Sequence, residues 1–311
     1  MKLHTEGLMA TTQQITPAPK LKIEKIAVLT DFSKGADAAL EYAATFARAY
    51  DASIVLVHAY VPPTAAWAAP EMILVYETLD EVRQSLEDRL HNLTKASFLH
   101  GIHCTTMLRV GGTQDLLDAV SDADLVVVGT AGGSGLEKAA LGSTAEAIFR
   151  SSTIPVLTVG PHCPCNGKAA VAIKTILYAT DFSSGAGIAL AYATSIAREQ
   201  QAELILLHVK DDEGVPFTFE RTMASAEPLE KLQKLSPEKG LPSRPLCTVR
   251  FGAPDKIILE EAKKHDANLI VMGARGAGAL AGLISHFGGG TAYKVAANAT
   301  CPVLTIRKSN K

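Results

Sequence analysis

Read only as apolar and polar positions, the chain alternates two kinds of segment. Short β-branched runs, such as IAVL from Ile26, SIVLVH from Ser53 and DLVVVG from Asp124, have the length and composition of buried strands. Between them lie longer stretches with apolar residues at helical spacing. Ala36, Ala39, Leu40, Ala43 and Ala47 share one face of such a helix, and Ser33 is placed to cap it. This alternation predicts parallel strands with crossover helices on both faces of a sheet. In the first half it places strands near 25–30, 53–59, 104–110, 124–129 and 155–159, with a longer helix filling much of 70–99.

The pattern then repeats. Residues 26–58 laid over 176–208 without a gap give 16 identities in 33 positions, and both copies run from a TDFS segment to a His after an apolar run. Later landmarks follow in the same order: RVGGTQDLLDAV against RFGAPDKIILEEA, DLVVVGT against NLIVMGA, TIPVLTVG against TCPVLTIR. A tandem duplication follows, and any function concerns two sites. The expected organisation is a loose leader at 1–20, a first domain at 21–160, a Pro- and Gly-bearing linker at 161–172 and a second domain at 173–308. The copies differ over 216–239, which reads as shorter than its counterpart and broken by Pro228 and Pro237.

Composition narrows the function. The 311 residues carry 30 Lys and Arg against 32 Asp and Glu, a net charge of −2, so no basic face invites nucleic acid. The apolar runs are strand-sized, which excludes a membrane span, and the first twenty residues lack the apolar core of an export signal. Five cysteines, three of them in or beside apolar runs, favour a reducing cytoplasm. Cys163 and Cys165 lack the second Cys pair of a strong metal site and read as free thiols in the linker.

In an open parallel sheet, ligands sit at the carboxyl ends of strands where the winding reverses, so residues after the first and fourth strands matter most. These are Asp31 and the run GTAGGSGLEKAALGSTAEAI from Gly129. The run spaces its glycines as Gly129-x2-Gly132-x9-Gly142-Ser143, just before a helical pattern. Glycines let the backbone approach a ligand with its amides exposed, and a helix N-terminus adds unpaired N–H groups; both suit phosphate. Neither a dinucleotide fingerprint nor a Walker loop is present. His58 and His208 end apolar strands without a nucleophile partner and read as packed or hydrogen-bonded residues.

Tandem TDFS segments, a strand-end His and G-x2-G-x9-G-S before a closing PVL strand together resemble the universal stress protein family, specifically its tandem two-domain members. The resemblance covers nearly all of 22–308 outside the linker. It implies an α/β fold of two tandem Rossmann-like domains, each an open five-stranded parallel sheet flanked by helices. It also implies ATP, with Mg²⁺, as ligand. Carried over residue by residue, Asp31 and the backbone at Ala59 would contact the nucleoside, and Gly129, Gly132, Gly142 and Ser143 the triphosphate, with Thr144 a further hydroxyl. The other reading of Asp31 is a carboxylate stabilised by the dipole of the following helix.

The second unit keeps Asp181, Val209, Gly273 and Gly276, but three extra residues precede its helix. Counted back from Pro302, Gly289 and Gly290 stand opposite Gly142 and Ser143, with Thr291 supplying a hydroxyl. The first unit is therefore the expected better site. Three readings stay open: a cytoplasmic ATP-binding stress or signalling protein, a slow ATP hydrolase, and a nucleotide-free scaffold. No catalytic residue is nominated, because Asp31 is the only carboxylate that the sequence places nearby. The short last strands IPVLTV and CPVLTI can pair with another unit's edge, as an intrachain pseudo-dimer or a homodimer.

Overall fold

The computed structural model describes residues 21–62, 72–130, 141–165, 171–211, 218–274 and 290–307. The first unit runs β1 (Lys25–Leu29), α1 (Lys34–Tyr50), β2 (Ser53–Tyr60), α2 (Met72–Leu93), β3 (Cys104–Val110), α3 (Thr113–Ala119), β4 (Leu125–Gly129), α4 (Ser143–Ser151) and β5 (Val156–Val159). The second repeats it: β6 (Thr175–Thr180), α5 (Ser184–Gln200), β7 (Glu203–Lys210), α6 (Thr218–Leu235), β8 (Leu246–Phe251), α7 (Pro254–Lys264), β9 (Leu269–Gly273), α8 (Thr291–Asn298) and β10 (Val303–Ile306). The strands stand where the apolar runs placed them. The 70–99 stretch holds α2 and a short 3-10 turn at Ser97–Leu99.

Within each unit the strands pair in parallel, in the order β3-β2-β1-β4-β5 and β8-β7-β6-β9-β10. The winding reverses between β1 and β4, and between β6 and β9. The two sheets do not stay separate. β5 pairs antiparallel with β10, matching Leu157 with Leu304, and one ten-stranded sheet results. The last-strand edges that the sequence offered to another unit are thus used within the chain.

One apolar layer lies under α1, α2, α5 and α6, the other under α3, α4, α7 and α8, and both continue across the seam. Ile26, Ala27 and Val28 are completely buried, as expected of a strand covered on both faces. The described ends of the linker also belong to the core. Cys163 is buried, Tyr42 donates to the Pro164 carbonyl at 3.0 Å, and Thr45 Oγ1 bonds the Val171 backbone at 2.9 and 3.1 Å. Burial pushes the Cys163 and Cys301 thiols up to about 12, which leaves little thiolate at neutral pH.

The break expected at Pro228 does not occur: α6 runs through it from Thr218 to Leu235. Proline at this position leaves the Ala224 carbonyl, one turn back, without its helical N–H donor. Lys210, at the end of β7, donates its Nζ to that carbonyl at 3.2 Å. A long-range side chain thus replaces the missing donor. Pro237 lies just beyond the end of α6.

Candidate functional site

Both TDFS segments fold into the same relay of side chain to backbone hydrogen bonds. Thr30 Oγ1 accepts from the Phe32 amide at 3.0 Å, Asp31 Oδ1 from the Ser33 amide at 3.0 Å, and Ser33 Oγ from the Ala36 amide at 3.3 Å. Thr180, Asp181 and Ser183 repeat these bonds at 2.9, 2.9 and 3.3 Å. Each short polar side chain satisfies an amide at the start of the next helix, where no intrahelical partner exists. The turn requires Phe32 at φ 62° and Phe182 at φ 61°, a left-handed conformation that costs a bulky residue strain.

The strand-end histidines hold this turn in place. His58 Nδ1 lies 2.7 Å from the Thr30 carbonyl and His208 Nδ1 2.8 Å from that of Thr180. A carbonyl only accepts, so Nδ1 carries the proton and donates. Each ring also packs on the phenylalanine of its turn, with centroids 4.5 Å apart for Phe32 and 4.4 Å for Phe182. The hydrogen-bonded reading of these residues holds.

Gly129 has a reason to be glycine that needs no ligand. A Cβ there would stand 2.5 Å from the Gly35 carbonyl oxygen, and one at Gly273 2.8 Å from the Ala186 amide. Only a residue without a side chain lets the end of β4 or β9 pack against the first turn of α1 or α5. On the far side, Gly142 caps α4 with no side-chain hydrogen bond, and its amide bonds the Thr130 carbonyl at 2.9 Å. The amides that open α4 therefore face the reversal point.

These elements bring together residues that are far apart in sequence. Asp31, Ala59, Gly129, Gly142, Ser143 and Thr144 line one cavity of about 200 Å³ at the carboxyl ends of β1 and β4. Asp181, Val209, Gly273, Gly290 and Thr291 line a second, of about 580 Å³, at the ends of β6 and β9. Gly132, Gly276 and Gly289 lie outside the described residues. Asp31 borders the cavity, and its carboxylate accepts the Ser33 amide at the start of α1. Its charge also adds to burial in pushing the Asp37 carboxyl up.

The second site differs from expectation in two respects. Counting put Gly290 opposite Ser143, and the C-terminal ends of α4 and α8 keep that offset, but Gly290 caps α8 and Thr291 opens it, so α8 begins one residue later than α4. The unit with altered glycine spacing also has the larger cavity, and part of its wall comes from the other unit. Phe149 and Arg150, at the end of α4, line it together with Tyr293 and Arg307. Sequence reasoning missed these four, because their position depends on the β5–β10 pairing. Among the described residues no group of three or more His, Cys, Asp or Glu side chains could hold a metal ion, and no helix is long and apolar enough to cross a membrane.

The profile of the universal stress protein family matches residues 22–160 and again 172–307. The chain is similar to a universal stress protein of Mycolicibacterium smegmatis, with 30% identity over 295 residues that cover 91% of this chain and 96% of the relative. It is also similar to one of Mycobacterium tuberculosis, 27% identical over 299 residues with the same coverage. The fold matches the crystal structure of a universal stress protein from Archaeoglobus fulgidus, with TM-score 0.65 and 21% identity over 92% of this chain and 98% of that one.

Proposed function

Because the chain belongs to the universal stress protein family as a member with two tandem domains, we propose that it is a cytoplasmic ATP-binding protein that works through nucleotide occupancy rather than turnover. Its domains are taken as 21–160 and 173–308, with the linker between them. The observation that carries this reading is convergence. Residues separated by more than a hundred positions meet in one cavity at the winding reversal, and their counterparts meet in another.

The residues present fit a nucleotide. In the first unit the Asp31 carboxylate is an acceptor for ribose hydroxyls, and the Ala59 backbone borders the nucleoside. The α4 amides at Ser143 and Thr144, with their hydroxyls, take the phosphates, and Gly142, whose own amide bonds Thr130, lets the backbone approach them. Mg²⁺ would be held chiefly by the phosphates themselves. Efficient hydrolysis finds no support: His58 is occupied with the Thr30 carbonyl and Phe32. ATP would stabilise the nucleotide-bound arrangement by about 2.7 kcal/mol at a hundredfold excess over Kd.

The test is nucleotide occupancy of the purified full-length protein. Acid extraction should release adenine nucleotide, and calorimetry should show ATP binding in which the first-unit event disappears in Gly142→Val while the circular dichroism spectrum stays unchanged. Protein with no extracted nucleotide and no thermal shift on addition of ATP and Mg²⁺ would be a scaffold. Rapid ADP release lost in Asp31→Ala would make it a hydrolase.

A further inference from the structure

The two cavities are related by the seam, and at the seam the units are not equivalent. β5 and β10 are equivalent strands of the repeat, TIPVLTVG against TCPVLTIR, so Gly160, after β5, corresponds to Arg307, after β10. The ends of α4 and α8 correspond in the same way. The Ser152 amide bonds the Ile148 carbonyl and the Ala299 amide that of Val295, which sets Arg150 against Ala297. The second cavity thus has two guanidinium groups where the first has a glycine and an alanine. Nor could the first cavity gain one easily, since a Cβ on Gly160 would lie 3.2 Å from the Ala299 carbonyl.

Both arginines are held in place by the structure. Arg307 donates Nη1 to the Arg150 carbonyl at 2.5 Å and Nη2 to that of Phe149, so its charge sits at the carbonyl end of α4. A guanidinium has five N–H groups, and these contacts engage one on each terminal nitrogen. Arg150 Nε bonds Glu146 Oε1 at 2.8 Å, and its guanidinium lies over the Tyr293 ring at 5.3 Å, while the Tyr293 hydroxyl donates to Glu146 Oε2 at 3.3 Å. Burial, and then the charge of Arg150, push the Arg307 guanidinium below its ordinary value. An anion between the two groups would relieve that repulsion.

The charges of the cavity are also sorted along its length. Asp181 and Asp211 belong to the β6 and β7 end, whereas Arg150 and Arg307 stand at the seam, beyond the cap of α8 at Gly290. Such a site suits a ligand with hydroxyl donors at one end and negative charge at the other. Among the described residues, the lining side chains of the first cavity that can carry charge are Asp31 and His58.

We propose that the second-unit site is completed across the seam by Arg150 and Arg307, which bind the terminal phosphate of a nucleoside triphosphate and select it over the dephosphorylated nucleoside. This rests on the reading of the cavities as nucleotide sites. It makes the two sites different in specificity, the seam cations being present in one alone.

Calorimetry on the full chain carrying Gly142→Val, with ATP and with adenosine as titrants, isolates the second site. Arg150→Gln should weaken ATP about 10- to 100-fold, the range of a lost hydrogen bond to a charged group. Adenosine affinity should stay within about twofold, and Arg150→Lys should recover part of the loss. Arg307→Lys, which keeps a cation at the end of α4, should weaken ATP in the same selective way. Equal losses for ATP and adenosine, or unchanged ATP affinity in both variants, would overturn the seam assignment. If Gly142→Val binds no ATP while the unaltered chain binds one, the inference fails and the first-unit site stands. An unaltered chain that binds none removes both.

Discussion

The two halves of the molecule share a turn and differ in a wall. Thr30–Ser33 and Thr180–Ser183 repeat the same three hydrogen bonds, the same left-handed phenylalanine and the same histidine donor to within about 0.1 Å. The cavities that these turns border are about 200 and 580 Å³. Duplication has kept the groups that satisfy the backbone, where each loss leaves an amide or carbonyl without a partner. The residues that only line a space have diverged, because neither the strands nor the helix caps depend on them. Equivalence of scaffold is therefore no guide to equivalence of site.

The strongest way to test the shared part is to crowd it. Gly129→Ala sets a Cβ against backbone, which cannot rotate away, and should cost about 3 kcal/mol. Gly273→Ala, with its nearest contact 0.3 Å longer (2.8 against 2.5 Å), should cost slightly less. Urea midpoints at constant slope measure both, and a neutral Gly129→Ala would remove the packing explanation for this glycine.

The corresponding helices α2 and α6 differ more gently. Pro228 lies inside α6 and its penalty is only partly offset by Lys210. Pro228→Ala should raise stability by about 2 kcal/mol, read from the same denaturation curves. A loss instead would mean that the proline shapes the wall of the second unit.

A third difference is electrostatic. In α7, Glu261 bonds Arg250 Nε at 2.9 Å and Lys264 Nζ at 3.2 Å, whereas the matching position of the first unit is the buried Val120. Burial pushes the Glu261 carboxyl up, but the hydrogen bonds and charges of Arg250 and Lys264 outweigh it and hold its pKa below the usual carboxylate value. The unfolded chain then takes up this proton at higher pH than the folded one. The contribution is complete above the unfolded carboxylate pKa of about 4.3 and disappears as pH falls through the folded value. Glu261→Gln should cost about 1–2 kcal/mol at pH 7 and little at pH 3, as thermal unfolding at the two pH values will show.

The smallest contrast lies in the seam itself. Thr305 Oγ1 donates to the Val156 carbonyl at 3.3 Å, while the Thr158 hydroxyl, fully buried, has no partner among the described residues. Thr305→Val should lose about 1 kcal/mol, and Thr158→Val should be neutral or gain up to about 1 kcal/mol. Equal melting temperatures for the two variants would dissolve the distinction.

Much of this was legible in the chain. The strands, the Ser33 cap, the start of a helix after Gly142 and the duplication all depend on residues a few positions apart, or on direct repetition. Other features were not. The positive φ of Phe32 and Phe182 left its mark only as a phenylalanine retained in both TDFS copies, and an aromatic residue does not announce a left-handed turn. Pro228 was read as a break because its rescuer, Lys210, stands on a different element. Cys163 is the free thiol that the sequence suggests, but its burial in the core has no signal in the linker's composition.

The sequence by itself determined two α/β units, their family and the residues that gather at each winding reversal. Local hydrogen bonding and apolar periodicity act over a few residues and are therefore written in order along the chain. The tertiary structure decided which edges meet, and with that which unit lends its arginines to the other's cavity. Edge pairing joins strands separated by nearly half the chain, and its outcome depends on contacts that exist only once both units have folded.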